Sequence, residues 1–363
     1  MKVEVFDKIY IGSSPIMMLD ALNSNLKNKK VLIIDKSNVL GGAWKSIELF
    51  GCKNLENAVH YLLPNEEGYN FLENIFNVEL EDSTRKFYAL KILDIKFLIS
   101  VKNFLGKIIY LINGGDQRDN LTKKLFFKKL FSKSHVKSTL YPKGGISQVV
   151  EKIKEKVICS SIELRLNEEI LFINIKDDLA FIETNKRNFI GKKMFISHGF
   201  IPPDKFYINN KKVLLNLKKH PRPSLHINTI CDEKVKKYSL PFRFSQVLFP
   251  KGSNIKYVHQ ISQFLDSRKD KKQQIVVVAL RHDLKNNFLN YLKIAKELED
   301  FGVIPKVKQR LKNDFYWQDI LIPQIDDNDL NYICNRSRNV IESFKTECFN
   351  TALGNYSKIW NFK

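Results

Sequence analysis

The residues with most chemistry to offer stand in two short runs, Gly12-Ser13-Ser14-Pro15-Ile16-Met17 and Asp35-Lys36-Ser37-Asn38-Val39-Leu40-Gly41-Gly42-Ala43-Trp44. A glycine that ends a strand and opens a helix leaves N–H groups without intrahelical partners, and the helix dipole adds positive potential there. Such a turn attracts an anion, and a pyrophosphate fits it. A carboxylate closing the next strand, as Asp35 does, stands where it can accept from ribose hydroxyls. Dinucleotide turns carry three glycines: one for the tight turn, one for close backbone approach, one for helix–strand packing. Only the first, Gly12, is present. Ser14 takes the second place and can still offer a hydroxyl to phosphate. Met17 takes the third and implies a looser helix–strand contact. Taken singly, each feature has a plainer reading: Gly41-Gly42 is then only a turn, and Asp35 caps a helix or solvates a loop.

These residues need a scaffold, and the pattern around them supplies one. Phe6 to Gly12 is a buried-strand run. Residues 13–27 have helical spacing, with Pro15 in the first turn where no N–H is needed. Lys30 to Asp35 is a second continuous apolar strand. Strand, glycine turn, helix and strand make a βαβ unit with parallel strands buried on both faces. Beyond it, a charged, Phe-rich stretch around 85–137 reads as helical. The turn Tyr141-Pro142-Lys143-Gly144-Gly145 opens a helix over 146–156. Short strands follow at 162–166, 169–176, 179–184 and 193–197, and a second sheet at 242–250, 255–262 and 273–281, rich in β-branched and aromatic residues. Helices are expected at 284–300 and 328–353.

The run from Asp35 to Trp44 resembles the acid-x5-Gly-Gly segment of the FAD-dependent amine oxidase, protoporphyrinogen oxidase and phytoene desaturase superfamily, a structural group that includes UDP-galactopyranose mutase. Tyr141 to Gly145 is similar to that family's Tyr-Pro-x-Gly-Gly turn. Leu164 to Ser197 resembles its adenine-contacting segment, with Glu169 and Ile170 at the contact. The resemblance covers residues 1–200 well and 200–363 poorly. It implies FAD as cofactor, held by Gly12, Ser13, Ser14, Asp35, Lys36, Gly41, Gly42, Ala43, Trp44, Glu169 and Ile170. NAD would also satisfy the Gly12 turn. A second glycine pair just past the acid favours FAD, and the Asp35 charge disfavours the 2′-phosphate of NADP. The family's C-terminal Gly-Asp element is altered: Thr346-Glu347 stands in its place, which leaves Glu347 as the candidate contact. His60 falls where relatives carry a histidine near the flavin. Such a residue donates to a flavin or substrate oxygen; otherwise it is a satisfied, half-buried side chain.

The implied fold is α/β: a Rossmann-like FAD-binding domain from 1–60, 140–200 and 320–363, interleaved with an α+β substrate domain from 61–139 and 201–319. The implied activity is hydride transfer from a C–H or amine substrate to flavin. The alternatives are a flavin-dependent nucleotide-sugar mutase, which needs arginines that are scarce here, and a degenerate dinucleotide-binding protein without redox activity. The formal net charge of +21 comes mostly from scattered Lys. This is read as composition bias rather than as a nucleic-acid surface, which would favour Arg forks. Residues 121–137 alternate Leu and Phe with Lys, a pattern for a basic amphipathic helix on an anionic membrane or for a solvated helix face. The 5 cysteines show neither disulfide nor zinc spacing, and the histidines show no ligand spacing, so no metal is expected. No signal peptide is expected, and a cytoplasmic place, with a small-molecule substrate as partner, fits these features.

Overall fold

The computed structural model describes residues 4–57, 66–82, 86–92, 95–100, 140–197, 199–230, 246–249, 252–261, 273–281, 284–307, 310–337 and 340–343. The chain opens with β1 (Glu4–Phe6) and β2 (Lys8–Ile11), turns into α1 (Pro15–Leu26) and returns as β3 (Val31–Asp35). The hairpin of β4 (Ser46–Leu49) and β5 (Cys52–Glu56) follows, then α2 (Glu66–Phe76), β6 (Leu80–Asp82), β7 (Lys86–Ile92) and β8 (Ile95–Ser100). Next, β9 (Leu140–Pro142) leads into α3 (Ile146–Ile158). It is followed by β10 (Glu163–Leu166), β11 (Ile170–Lys176), β12 (Leu179–Thr184), β13 (Asn188–Gly191) and β14 (Met194–Ile196). The remaining elements are β15 (Lys205–Ile208), β16 (Lys211–Lys212), β17 (Leu217–Ile230), β18 (Gln246–Leu248), β19 (Ile255–Gln260) and β20 (Gln273–Leu280). After them come α4 (Phe288–Asp300), β21 (Phe315–Ile325), α5 (Asp327–Arg336) and β22 (Ile341–Ser343).

The fold is α/β, as the βαβ pattern requires. Five parallel strands in the order β10-β3-β2-β14-β22 form the first sheet. Its central strands β2, β3 and β14 are mainly apolar on both faces because both are covered. Tyr10, Val31 and Ile33 pack with α1, α2 and α3, whereas Ile9, Leu32 and Ile34 pack against β11–β13 and α5. Lys8, the first residue of β2, is buried beside Asp20 (2.6 Å) and Glu342 of β22 (3.0 Å), so its charge is paired where it leaves water.

A six-stranded sheet, β1-β13-β12-β11-β15-β16, packs on the α5 side of the first, and a seven-stranded sheet, β21-β17-β20-β19-β18-β7-β8, is the second sheet that bears on the site. Alternation divides its faces. Leu225, Ile227, Val258, Val276 and Val278 pack on α4, while Ile275 and Val277 meet Leu55 of the β4–β5 hairpin.

Two sequence expectations need correction, and one pair of strands was not anticipated. Within the stretch read as helical around 85–137, residues 86–92 and 95–100 are the paired strands β7 and β8. Their aromatic and β-branched residues suit a pleated sheet better than a helix. The expected helix 328–353 ends at Arg336, where Ser337 caps it. Val340 and Ile341 are then buried as β22 enters the parallel sheet beside β14. Strands β17 and β21 form the longest ladder of the second sheet and had no assignment from pattern. The segment 121–137 lies outside the described residues. Among the described residues no helix is long and apolar enough to cross a membrane.

Candidate functional site

The Gly12 turn leaves the sheet directly: its N–H donates to the Ile34 carbonyl (2.7 Å), and its φ of +99° is one that glycine adopts without strain. Ser13, which is buried, then ties three segments together. Its hydroxyl donates to Asp35 Oδ2 (2.5 Å) and accepts the Gly41 N–H (3.2 Å). The Ser13 carbonyl accepts from the same N–H (3.1 Å). Asp35 Oδ1 takes the Ser37 N–H (2.8 Å). A carboxylate offers about four lone-pair positions, so the half-buried Asp35 keeps acceptor capacity beyond these two bonds. Ser14 is the N-cap of α1, and its side chain makes no capping bond. Met17 fills the place of the third glycine with its Sδ 3.6 Å from where a Gly12 Cβ would lie.

Both later glycines are dictated by backbone and space. Gly41 has φ +116°, and a Cβ there would approach Val150 of α3 to 3.1 Å. Gly42 has φ +57°, and its Cβ would come within 3.3 Å of Ser14 Cα. The glycine pair is thus pressed against the first turn. Trp44, half-buried, packs at the edge of the helix-side core, while Lys36 and Ala43 are exposed.

The stretch expected near an adenine runs beside Asp35. β10 pairs in parallel with β3, Leu166 opposite Asp35. The Asn167 and Glu168 N–H groups donate to the Ser37 (3.1 Å) and Asp35 (3.2 Å) carbonyls. Glu169 is exposed and Ile170 half-buried. The buried carboxylate of this turn is Glu168, which accepts from Thr184 (2.9 Å) and lies 3.5 Å from Arg187 Nε. The Gly144-Gly145 turn does open a helix, and Glu56 caps it: Glu56 Oε1 accepts the Ile146 N–H (3.0 Å) and the Tyr141 hydroxyl. His60 and Glu347 lie outside the described residues.

Pattern reading overlooked a row of polar residues on the second sheet, on the face toward the β4–β5 hairpin. His226 on β17 and His259 on β19 both stand opposite Val277 of β20. Both are fully buried. His226 Nε2 lies 2.8 Å from the Glu56 carbonyl oxygen. A carbonyl only accepts, so Nε2 carries the hydrogen and Nδ1 is bare. Burial pushes the His226 pKa down to about 4, which leaves the ring neutral near pH 7. Gln318 of β21, opposite Ser224, donates to Asn57 Oδ1. Asn57 in turn donates to the Ala43 carbonyl (3.4 Å). The second sheet therefore grips the chain just after the hairpin and, through Asn57, the glycine-pair loop. The signal was present in Ser224-Leu225-His226-Ile227-Asn228, a strict polar–apolar alternation. A groove of about 520 Å3, lined among others by Val39, Lys45, Ile47, Leu49, Lys154 and Tyr316, meets this row at Tyr316, whose ring centroid lies 5.9 Å from that of His226. Among the described residues no cluster of His, Cys, Asp or Glu is placed to hold a metal ion.

No family model and no curated protein matches this sequence. Solved structures share its fold at low identity. A putrescine oxidase bound to putrescine aligns with a TM-score of 0.65 and 10% identity, over 99% of this chain and 98% of that one. A proposed protoporphyrinogen oxidase from Exiguobacterium sp. 255-15 aligns at 0.61 and 10%, over 99% and 98%. The Rab GDI of Plasmodium falciparum aligns at 0.58 and 13%, over 100% and 99%.

Proposed function

We propose that this chain is an FAD-dependent oxidoreductase of the amine oxidase and protoporphyrinogen oxidase type. The observation that carries the reading is the knot of Ser13, Asp35 and Gly41. It sets an uncapped helix start, an acid and a close-packed glycine pair side by side, where an extended dinucleotide would cross all three. The residues fit FAD: the first turn of α1 has no side-chain cap, so its N–H groups suit a pyrophosphate. Asp35 keeps acceptor positions for ribose hydroxyls. Gly41 and Gly42 leave the loop beyond without side chains. Lys36, Ala43, Trp44, Glu169, Ile170 and Glu347 complete the proposed contacts on the family resemblance, and His60 is the proposed group at the substrate side.

When bound, FAD would supply the acceptor for a hydride from a C–H or amine substrate. The chain's own task is to orient the partners and exclude water. The Asn57–Gln318 bond serves this by coupling the glycine-pair loop to the second sheet. On the same resemblance we assign the FAD-binding unit to 1–60, 140–200 and 320–363 and the substrate unit to 61–139 and 201–319. The test is to purify the protein, add excess FAD, remove free dye and read the flavin bands. Retained absorbance is the expected result, and NAD bound in place of flavin overturns the reading. One fold neighbour, Rab GDI, is not named as an oxidoreductase. With Met17 in the third glycine position, it favours as second reading a dinucleotide-binding protein without redox activity. Flavin that washes out easily and shows no turnover would select that reading.

A further inference from the structure

We propose that the groove beside Tyr316 and the buried polar row behind it bind an uncharged molecule that has an apolar body and a hydrogen-bond donor, a hydroxyl or N–H, at one end. This rests on the oxidoreductase reading in taking the site for the substrate's, but the binding itself does not require flavin. Four side-chain atoms of the row are buried and have no hydrogen-bond partner among the described residues: Ser224 Oγ, His226 Nδ1, Asn228 Oδ1 and Gln318 Oε1. Ser224 and His226 are only 4% and 0% exposed. Native interiors rarely leave polar atoms unpaired, because each then loses its hydration without compensation. Here four of them share one sheet face, since Ser224, His226 and Asn228 alternate along β17 and Gln318 stands opposite Ser224.

Their chemistry selects the ligand. The amide oxygens of Asn228 and Gln318 only accept. His226 Nδ1 is also an acceptor, because Nε2 donates to the Glu56 carbonyl. The Ser224 hydroxyl can do either. The missing group therefore brings donors. The row carries no charge to offset a buried ion. On the facing hairpin, the Glu56 carboxylate holds Tyr141 and the Ile146 N–H. Tyr316 joins groove to row: it stands opposite His226, with ring centroids 5.9 Å apart, and lines the groove. Groove charges cancel, Lys45 and Lys154 against Glu48 and Glu151, and the Lys154–Glu151 pair is closed at 2.8 Å. Val39, Ile47, Leu49 and the Tyr316 ring supply apolar wall.

The test uses three probes with one body and different heads: cyclohexanol, cyclohexylammonium and cyclohexanecarboxylate. Binding to the full-length protein is read by saturation-transfer NMR at pH 7.5, with and without added FAD. Cyclohexanol should bind and the two ions should not. Ser224→Ala removes an atom that holds nothing in the fold, so it should leave Tm unchanged or higher while weakening cyclohexanol by about fivefold to tenfold, the worth of one hydrogen bond. His226→Gln, which keeps a donor toward the Glu56 carbonyl, should weaken it similarly. Absent cyclohexanol binding, equal binding by Ser224→Ala, or preference for either ion overturns the proposal. Flavin bands read on the same samples keep the two readings apart: flavin without cyclohexanol sinks only this proposal, and cyclohexanol without flavin sinks only the oxidoreductase.

Discussion

Two regions, the Gly12 turn of the parallel sheet and the polar row of the seven-stranded sheet, treat their polar groups in opposite ways. At the Gly12 turn and the start of β2, the buried polar side chains are partnered: Ser13 bonds to Asp35 and Gly41, and Lys8 to Asp20 and Glu342. On the second sheet, Ser224, His226, Asn228 and Gln318 keep atoms without partners among the described residues. A closed network rigidifies its segment, whereas an open one costs stability unless something else completes it. The first region is therefore preorganised, as the proposed cofactor clamp requires. The second has unmet hydrogen-bonding capacity on a buried face, which costs stability unless a bound group completes it.

The sharpest way to break the clamp is Gly41→Val. A β-branched residue at φ +116°, with Val150 only 3.1 Å from its Cβ, strains the backbone by roughly 1–3 kcal/mol before any clash. Bound flavin should be lost entirely in an absorbance assay, and retained flavin would mean the glycine pair does not shape the site.

Acid should expose the second region. His226 has a folded pKa of about 4 against an ordinary 6.5. The unfolded chain therefore binds more protons between those values, and stability falls as pH drops from about 6.5 toward 4. The full loss amounts to roughly 3 kcal/mol. Chemical denaturation across that window should show it in the wild type and show it reduced in His226→Gln. A wild-type curve flat over this range would contradict a buried neutral ring.

Asp35→Asn is milder. It keeps the shape but removes the charge from the Ser13 and Ser37 bonds and from the proposed ribose contact. FAD affinity should fall by about tenfold to hundredfold, or about 1–3 kcal/mol, as measured by fluorescence titration. The smallest effect sharpens the contrast between the regions. Ser13→Ala should lower Tm, because Ser13 bonds both Asp35 and Gly41, while Ser224→Ala should move it by less than about 0.5 kcal/mol equivalent. Equal losses in a paired thermal melt would erase the distinction drawn between the two regions.

Much of the clamp could be read from the chain itself. Gly12, Asp35 and Gly41 announce turn, acid and second turn because backbone conformation at those points is a local matter, and glycine there answers a local demand. The apolar runs of β2 and β3 likewise declare burial on both faces, which only a covered parallel sheet provides. Ser13 was legible as a position but not as the centre of a bond network, since its partners lie 22 and 28 residues away. The polar row was visible only as an alternation in Ser224 to Asn228. Its meaning depends on register: His226 meets Glu56, 170 residues earlier, and Gln318 meets Asn57, 261 residues earlier. The errors at β7, β8 and β22 have the same origin, for short apolar runs fit helix or strand equally until a partner strand is present. Local geometry was thus set by residue type and spacing. Which buried atoms find partners was decided by tertiary pairing, because a hydrogen bond across the fold depends on strand order and register that no single segment contains.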